Sequence, residues 1–408
     1  MMYTSMKPLN FYRLSNRTGA VLENPVNGLP PYYDPWNRLA RDMGELCRTN
    51  QLREFIKTMP VINVQPSLTY EELRFAHKIM TFAASTYVWS TGEDDAPDVL
   101  PAQISVPLLT ASLELGIPPI LTHQDLVLCN CAASVTENIP EVINLPTQHE
   151  SWKHFIELSG MVEISFAPIF SLFSDIIDAQ NPLNEANIVY SLGRIRQVLD
   201  KTGDSLSIFY ERLDSNEFYV HLRPIMCGWN RKPIENGIVF EGVTKTYLDS
   251  KSTSFALEAV KIRACDDEEN NWARMSCMGA NAAQSICLQA IDTLLQIQHE
   301  PKNEEFFDAM RMYMIPEHRI FLQDLKKNSH LGEIVQETHS DELQSAFKAC
   351  TEALRRFRDK HLELVVEFIE KPANQQAAKL KSLESTGTGG QALRNFLLSV
   401  RNSSSPVD

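Results

Sequence analysis

One long amphipathic segment, residues 340–369, restricts the folds open to this chain more than any other feature. Its apolar side chains recur at alternating steps of four and three residues, which aligns them along one face of an α-helix. A helix with such a stripe must be covered by other elements of the protein. The stripe consists of Leu343, Phe347, Cys350, Leu354, Phe357, His361, Leu364 and Phe368.

Helical periodicity continues along most of the chain, whereas alternation typical of a strand is confined to short pieces such as 237–243. The fold class that this pattern predicts is all-α. The helical segments are 37–59, 69–88, 151–177, 184–213, 281–297 and 303–314.

Chain length and proline positions predict two domains. A length of 408 residues suits two or three domains, and a proline-bounded connection occupies 133–146. We therefore expect a smaller, mainly helical N-terminal domain at 1–146 and a larger all-helical domain at 147–408. Polar stretches at 264–274 and 372–390 predict loops, the second of them mobile.

Charge and hydropathy exclude several classes of protein. A net charge of -14 without a basic run argues against nucleic acid as a partner. Residues 1–13 lack the apolar core of a secretory signal, and the longest apolar stretches, such as 104–121, are interrupted by polar residues and proline. We expect a cytoplasmic protein that does not enter a membrane.

The common motifs of metal, nucleotide and hydrolase sites are absent from the sequence. Eight cysteines are spread over the chain, and the close pair Cys129 and Cys131 fits no usual zinc or redox spacing. HExxH, GxGxxG, GxxxxGK[ST] and GxSxG do not occur. A zinc hydrolase, a nucleotide-binding enzyme and a serine esterase therefore have no support.

His361 has two interpretations on residue type alone. A core histidine can be satisfied by a hydrogen bond, or an imidazole on an apolar helix face can be the proximal ligand of a haem iron. Arg358, one turn earlier, is either a solvated arginine or a partner for a haem propionate. Both pairs of alternatives remain open at this level.

Ordered motifs along essentially the whole chain resemble the indoleamine 2,3-dioxygenase family. Each motif is weak by itself, and the specificity comes from their occurrence in the family's order. They are LPPYYDPW at 29–36, GIPPILTHQDLVL at 116–128, RPIMCGW at 223–229, GIVFEG at 237–242, RMYMIPEHRIFL at 311–322, KHLELVVEFI at 360–369 and GTGG at 387–390.

The resemblance implies a two-domain helical fold with haem b buried in the larger domain. It implies that the ferrous enzyme, kept reduced by an external reductant, inserts both atoms of O2 across the indole double bond of L-tryptophan. The product is N-formylkynurenine, the first intermediate of the kynurenine pathway, and we expect a monomer. By resemblance, His361 is the iron ligand, Arg358 a propionate partner and Asp292 an acidic residue near the proximal side.

The resemblance also assigns residues to the substrate side of the haem. Phe155 and Ser159 match the distal pair, and their four-residue spacing places them on one helix face. Phe218 would flank the indole, and Arg223 would bind the carboxylate through a bidentate pair. Thr388, within the glycine-rich 387–390, would reach the substrate from a closing loop. Without the resemblance, the phenylalanines would be ordinary core aromatics and 387–390 a linker.

One run departs from the family, which usually has GGSA where this chain has GANA. We expect Ala280 and Asn281, followed by Ala282, to tighten the distal pocket and change its hydrogen bonding. His123 and Leu126 stand where mammalian members have Tyr and Cys. Two hypotheses follow: an active tryptophan dioxygenase, or a diverged member that acts on a modified indole or binds haem for signalling without catalysis.

Overall fold

The computed structural model describes residues 5–134, 139–265, 271–376 and 393–404. Helix accounts for 61% of the described residues and strand for 7%, which confirms the all-α class. Of the predicted loop at 372–390, residues 372–376 are helical, and the remainder, with Thr388, lies outside the described residues.

Seventeen α-helices are assigned in the described residues. They are α1 Asp34–Arg48, α2 Leu52–Thr58, α3 Tyr70–Trp89, α4 Ala102–Leu115, α5 Glu150–Ser165, α6 Ile169–Asp178, α7 Glu185–Ser205, α8 Ile208–Arg212, α9 Ser215–Glu217, α10 Lys245–Asp249, α11 Ile286–Leu294, α12 Pro301–Arg311, α13 Pro316–Asn328, α14 Leu331–Glu337, α15 Asp341–Val365, α16 Lys371–Gln376 and α17 Leu393–Ser403.

Six short strands among the described residues form two small sheets. One sheet has four strands in the order β1-β4-β6-β5, and the other pairs β2 with β3 in antiparallel fashion. The predicted loop at 264–274 is flanked by β5 and β6, which pair antiparallel, so its ends belong to the sheet. The strands are β1 Val99–Leu100, β2 Cys131–Ala132, β3 Glu141–Val142, β4 Ile238–Thr244, β5 Lys261–Ala264 and β6 Trp272–Ser276.

Four of the predicted helices are interrupted or shorter in the structure than periodicity suggested, and the one at 184–213 is divided into α7 and α8. The predicted helix at 37–59 is broken between α1 and α2, where Asn50 adopts a φ of 54°. The helix at 151–177 is broken before α6 by Pro168, which has no N–H to continue the ladder. Residues 281–285 precede α11, because Ser285 caps the helix at its start.

The long stripe forms α15 and its π-helical continuation, Val366–Glu370. Ser340 caps the helix by accepting a hydrogen bond from the Leu343 backbone N–H at 3.3 Å. α15 packs along α7 and against α17. Its stripe is buried except at Phe347 and His361, which are half-buried.

A continuous apolar core includes side chains from both sides of the predicted domain boundary. The sheet also crosses that boundary, since β1 pairs in parallel with β4, with Val99 opposite Val239. The division at 146/147 stays a prediction.

The run that contains α5 and α6, Glu150–Asp178, is long and apolar enough to cross a membrane by length and composition. More than half of its most apolar window is buried inside the protein, as in the core helix of a folded domain. α5 also carries the predicted distal pair, so its packing positions the candidate site.

Candidate active site

α5 presents Phe155, Ser159 and Glu163 as one row, because residues four apart lie above one another on a helix. Phe155 and Ser159 are half-buried and Glu163 is buried. The Ser159 hydroxyl has no hydrogen-bond partner among the described residues. Sequence analysis missed Glu163, although its spacing after Ser159 was a signal that could have found it.

Phe218 meets Phe155 across the site. The two ring centroids are 5.1 Å apart at an interplanar angle of 45°, and the Phe368 ring centroid lies 6.2 Å from that of Phe218. Aromatic pairs at these distances attract one another beyond their area burial. The structure thus brings the two predicted indole-contacting phenylalanines together and adds Phe368, which the sequence indicated only as part of the α15 stripe.

Three π-helical turns occur among the described residues: Gln124–Leu128, Phe218–Leu222 and Val366–Glu370. The first two contact α5, and the third contacts the second. π-Turns are rare in proteins, and those that occur are often found at functional sites. Their clustering around α5 marks the same region that the sequence motifs indicated.

Arg223 follows the second π-turn, and its backbone N–H donates to the Phe218 carbonyl at 3.0 Å. Only 1% of Arg223 is exposed. Its guanidinium lies 5.2 Å from the Tyr219 ring centroid, in cation–π range. Burial lowers the pKa of Arg223, while Tyr219 and Cys227 oppose that effect. A buried cation therefore ends the π-turn that begins at Phe218.

The 279–282 run packs backbone to backbone against the segment after Arg223. A Cβ on Gly279 would lie 2.1 Å from the Met226 carbonyl oxygen, so only glycine permits this approach. The Ala280 N–H donates to that same carbonyl at 3.0 Å. Ala280 is buried and Ala282 is exposed.

The Asn281 side chain is occupied within its own turn. Its Oδ1 accepts from the Ala283 N–H at 3.0 Å, and its Nδ2 donates to the Gly279 carbonyl at 3.2 Å and approaches Met310 Sδ at 3.2 Å. The substitution therefore caps a short turn. The predicted change of hydrogen bonding beside substrate stays a prediction.

His123 binds the acidic end of the α5 row. Its Nε2 lies 2.9 Å from Glu163 Oε1, and the Cys287 thiol donates to Glu163 Oε2 at 3.2 Å. Burial by itself would raise the pKa of Glu163, but the hydrogen bond and charge of His123 outweigh it and lower that pKa. Leu126 is buried in the first π-turn beside this pair.

This pair predicts an acid-sensitive contribution to stability. Because the folded pKa of Glu163 is lowered, its contribution is complete above the unfolded value of about 4.3 and is lost as pH falls through the folded pKa. Glu163→Gln should lower the free energy of unfolding by about 1.5–3 kcal/mol at neutral pH. Urea titrations should show this difference shrinking in acid, and an equal difference at acidic and neutral pH would contradict the assignment.

His361 lies on the apolar stripe of α15, whereas the row that ends in Glu163 lies on α5. Neither of its ring nitrogens has a hydrogen-bond partner among the described residues. Burial, reinforced by the Arg358 charge, lowers the pKa of His361 to about 4. The ring is therefore neutral near pH 7, the form that binds a metal. A core histidine satisfied by a hydrogen bond would need a partner for its ring, and the described residues supply none to His361.

An aromatic contact joins α15 to the helix of the distal row. Phe357, one turn before His361, meets Phe166 at the end of α5 with ring centroids 5.5 Å apart. α7 also contacts both helices. The predicted iron ligand and the predicted distal residues thus stand on helices that are held together directly.

Arg358 is buried and pairs with Asp292. Its Nη2 lies 2.7 and 2.6 Å from the two carboxylate oxygens, and its Nη1 bonds Ser404 Oγ. His299 Nε2 lies 3.1 Å from the same carboxylate. Burial would raise the pKa of Asp292, but Arg358 and His299 lower it. The solvated-arginine interpretation is therefore wrong, and the propionate role stays a prediction.

Removing Arg358 should destabilise the protein strongly, because Asp292 would remain buried with only His299 beside it. We expect Arg358→Met to lower the free energy of unfolding by about 3–5 kcal/mol. Arg356→Met is a matched control on the same helix, since its 2.7 Å pair with Asp200 is exposed and should cost under about 1 kcal/mol. Equal losses in urea unfolding of the two variants would contradict this prediction.

These residues fit a haem. A neutral imidazole without a partner on an apolar stripe is the donor that a haem iron takes, and a buried arginine lies one turn away from it. The assignment of the aromatic pair, Ser159 and Arg223 to the substrate side stays a prediction.

Comparison with known proteins gives the family. The family model described as indoleamine 2,3-dioxygenase matches residues 8–406. Indoleamine 2,3-dioxygenase 2 of Homo sapiens is 29% identical over 97% of this chain and 94% of its own length, and that of Mus musculus is 30% identical over 96% and 93%. A protein named myoglobin from Haliotis madaka is 29% identical over 98% of both chains. With the whole-length match and this site, the chain belongs to the indoleamine 2,3-dioxygenase family of haem-dependent dioxygenases.

Proposed function

We propose that this enzyme inserts both atoms of O2 across the indole double bond of L-tryptophan and releases N-formylkynurenine. The observation that carries the choice of substrate is the buried Arg223 guanidinium, because Arg223 ends the π-turn that begins at Phe218, the ring that pairs with Phe155. An indole needs an aromatic wall, and an amino-acid carboxylate needs a cation. This reaction would supply the first intermediate of the kynurenine pathway.

His361 would hold the iron of haem b, and the ferrous haem would supply the activation of O2. An external reductant keeps the iron ferrous in this scheme. Asp292 would hold Arg358, and with it the turn of α15 before His361, through the ion pair described above.

The residues of this chain would act mainly by placement. Phe155 and Phe218 would hold the indole ring between them and exclude water, while Arg223 would fix its carboxylate end. Ser159 offers a hydroxyl without a competing partner among the described residues, but it is a weak base. The protein thus supplies orientation rather than a strong proton acceptor.

The relatives named myoglobin motivate a second candidate, reversible O2 binding without turnover. It belongs with the hypothesis of a haem protein that is not catalytic. Arg223 argues against it, because burying a guanidinium is costly and an O2 carrier has no use for it in the pocket. Action on a modified indole remains the third alternative.

Turnover by the reduced haem protein separates these candidates. We would supply O2 with L-tryptophan, D-tryptophan, tryptamine or indole and follow N-formylkynurenine or the corresponding product. L-Tryptophan should be converted well and tryptamine poorly. Stable O2 binding without product from any substrate would support the second candidate, and conversion of substituted indoles alone would support the third.

A further inference from the structure

A surface trio of His149, Glu217 and His221 lies beside the aromatic pair and has no part in the proposed reaction. His149 is the residue at the start of α5, Glu217 ends α9, and His221 lies in the π-turn Phe218–Leu222. Their ligand atoms all lie within 4.8 Å of one another. It is the one such group among the described residues.

The trio has the chemistry of a transition-metal site. His149 Nδ1 lies 3.2 Å from Glu217 Oε2, and the two imidazoles stack with ring centroids 4.4 Å apart at 17°. Metal–ligand bonds of about 2.0–2.1 Å place tetrahedral ligands roughly 3.3 Å apart. One pair already has this spacing, and rotation of half-exposed side chains can close the other distances.

We propose that His149, Glu217 and His221 bind one divalent transition-metal ion of the Zn²⁺ type, with water completing its coordination. Two imidazoles and a carboxylate are a frequent protein set for such ions. The donors are nitrogen and carboxylate oxygen, and the site is open to solvent, so entry of the ion requires no rearrangement of the fold.

A metal at this place would regulate the active site. It would tie the start of α5, which carries Phe155, to the π-turn, which carries Phe218 immediately after Glu217. The two rings, 5.1 Å apart, would lose freedom to separate around an entering indole. This regulatory consequence rests on the proposed function, whereas metal binding does not.

Calorimetric titration of the full-length haem protein with ZnCl2 tests the site without requiring turnover. We expect one ion to bind per chain. The double variant His149→Gln, His221→Gln should bind Zn²⁺ at least 10–100-fold more weakly, since loss of a group that only supports a ligand already costs about that much affinity. His330→Gln is the matched control, because His330 lies 3.4 Å from Glu333 outside any three-ligand group of the described residues. Unchanged binding by the double variant, with its haem spectrum intact, overturns the site.

Steady-state kinetics test the regulatory part separately. Zn²⁺ should raise KM for the substrate in the wild type and in His330→Gln, and should have no effect in the double variant. If Zn²⁺ binds through the trio but leaves KM unchanged, the coupling to the aromatic pair is overturned. If no substrate is turned over, the proposed function fails while the calorimetric result on the metal site stands.

Discussion

His361→Ala should purify without a Soret band, or with one greatly weakened, after expression under conditions that load the wild type with haem. The reason is that a ferrous haem in an apolar site depends on its axial imidazole for a directed bond. His361 is neutral near pH 7 and has no competing hydrogen bond among the described residues. Absorbance of haem per chain measures the effect.

A second buried histidine provides the matched control. His318, on α13, is 1% exposed, and its two ring nitrogens are buried without a hydrogen-bond partner in the described chain. Its pKa is lowered to about 3 by burial and by Arg74. His318→Ala should keep its haem, because this ring is enclosed by protein whereas His361 is half-buried.

Chemical rescue strengthens the same test. Free imidazole should restore the Soret band to His361→Gly, since a small ligand can occupy the place of the missing ring. Full haem content in His361→Ala, or loss of haem only in His318→Ala, would remove His361 from the iron.

Arg223→Ala should raise KM for L-tryptophan by about 10–100-fold, because a hydrogen bond to a charged group contributes about 1.5–3 kcal/mol. Tryptamine has no carboxylate, so its KM should change little. The ratio of the two KM values is the informative measurement, since a general loss of folded protein would affect both substrates alike. Arg223→Lys should be intermediate, because it keeps the charge and loses the planar fork.

Arg231 is the control for a change of charge in the same segment. It is half-buried, and its Nη1 lies 3.2 Å from Cys227 Sγ. Arg231→Ala should leave the preference for tryptophan over tryptamine unchanged. If Arg223→Ala shows the same substrate preference as the wild type, Arg223 does not bind the carboxylate, and the choice of an amino-acid substrate loses its support.

Residue periodicity was enough to predict the helical class and the long helix that carries the predicted iron ligand. The stripe of 340–369 became α15 and its π-helical end, because a period near 3.6 residues reports directly which side chains share a helix face. The row of Phe155 and Ser159 follows from the same local geometry. Breaks such as the one at Pro168 were readable in principle, since proline lacks the N–H that a helix interior needs.

Which of these residues meet depends on how the helices pack, and periodicity does not report it. The Phe155 and Phe218 rings pack together from elements far apart in sequence, and Arg358 pairs with Asp292. The Asn281 side-chain amide forms a hydrogen bond within its own turn and approaches Met310. The physical reason is that periodicity records spacing along one element, whereas the partner of a long charged or amide side chain depends on which groups packing brings within about 3 Å.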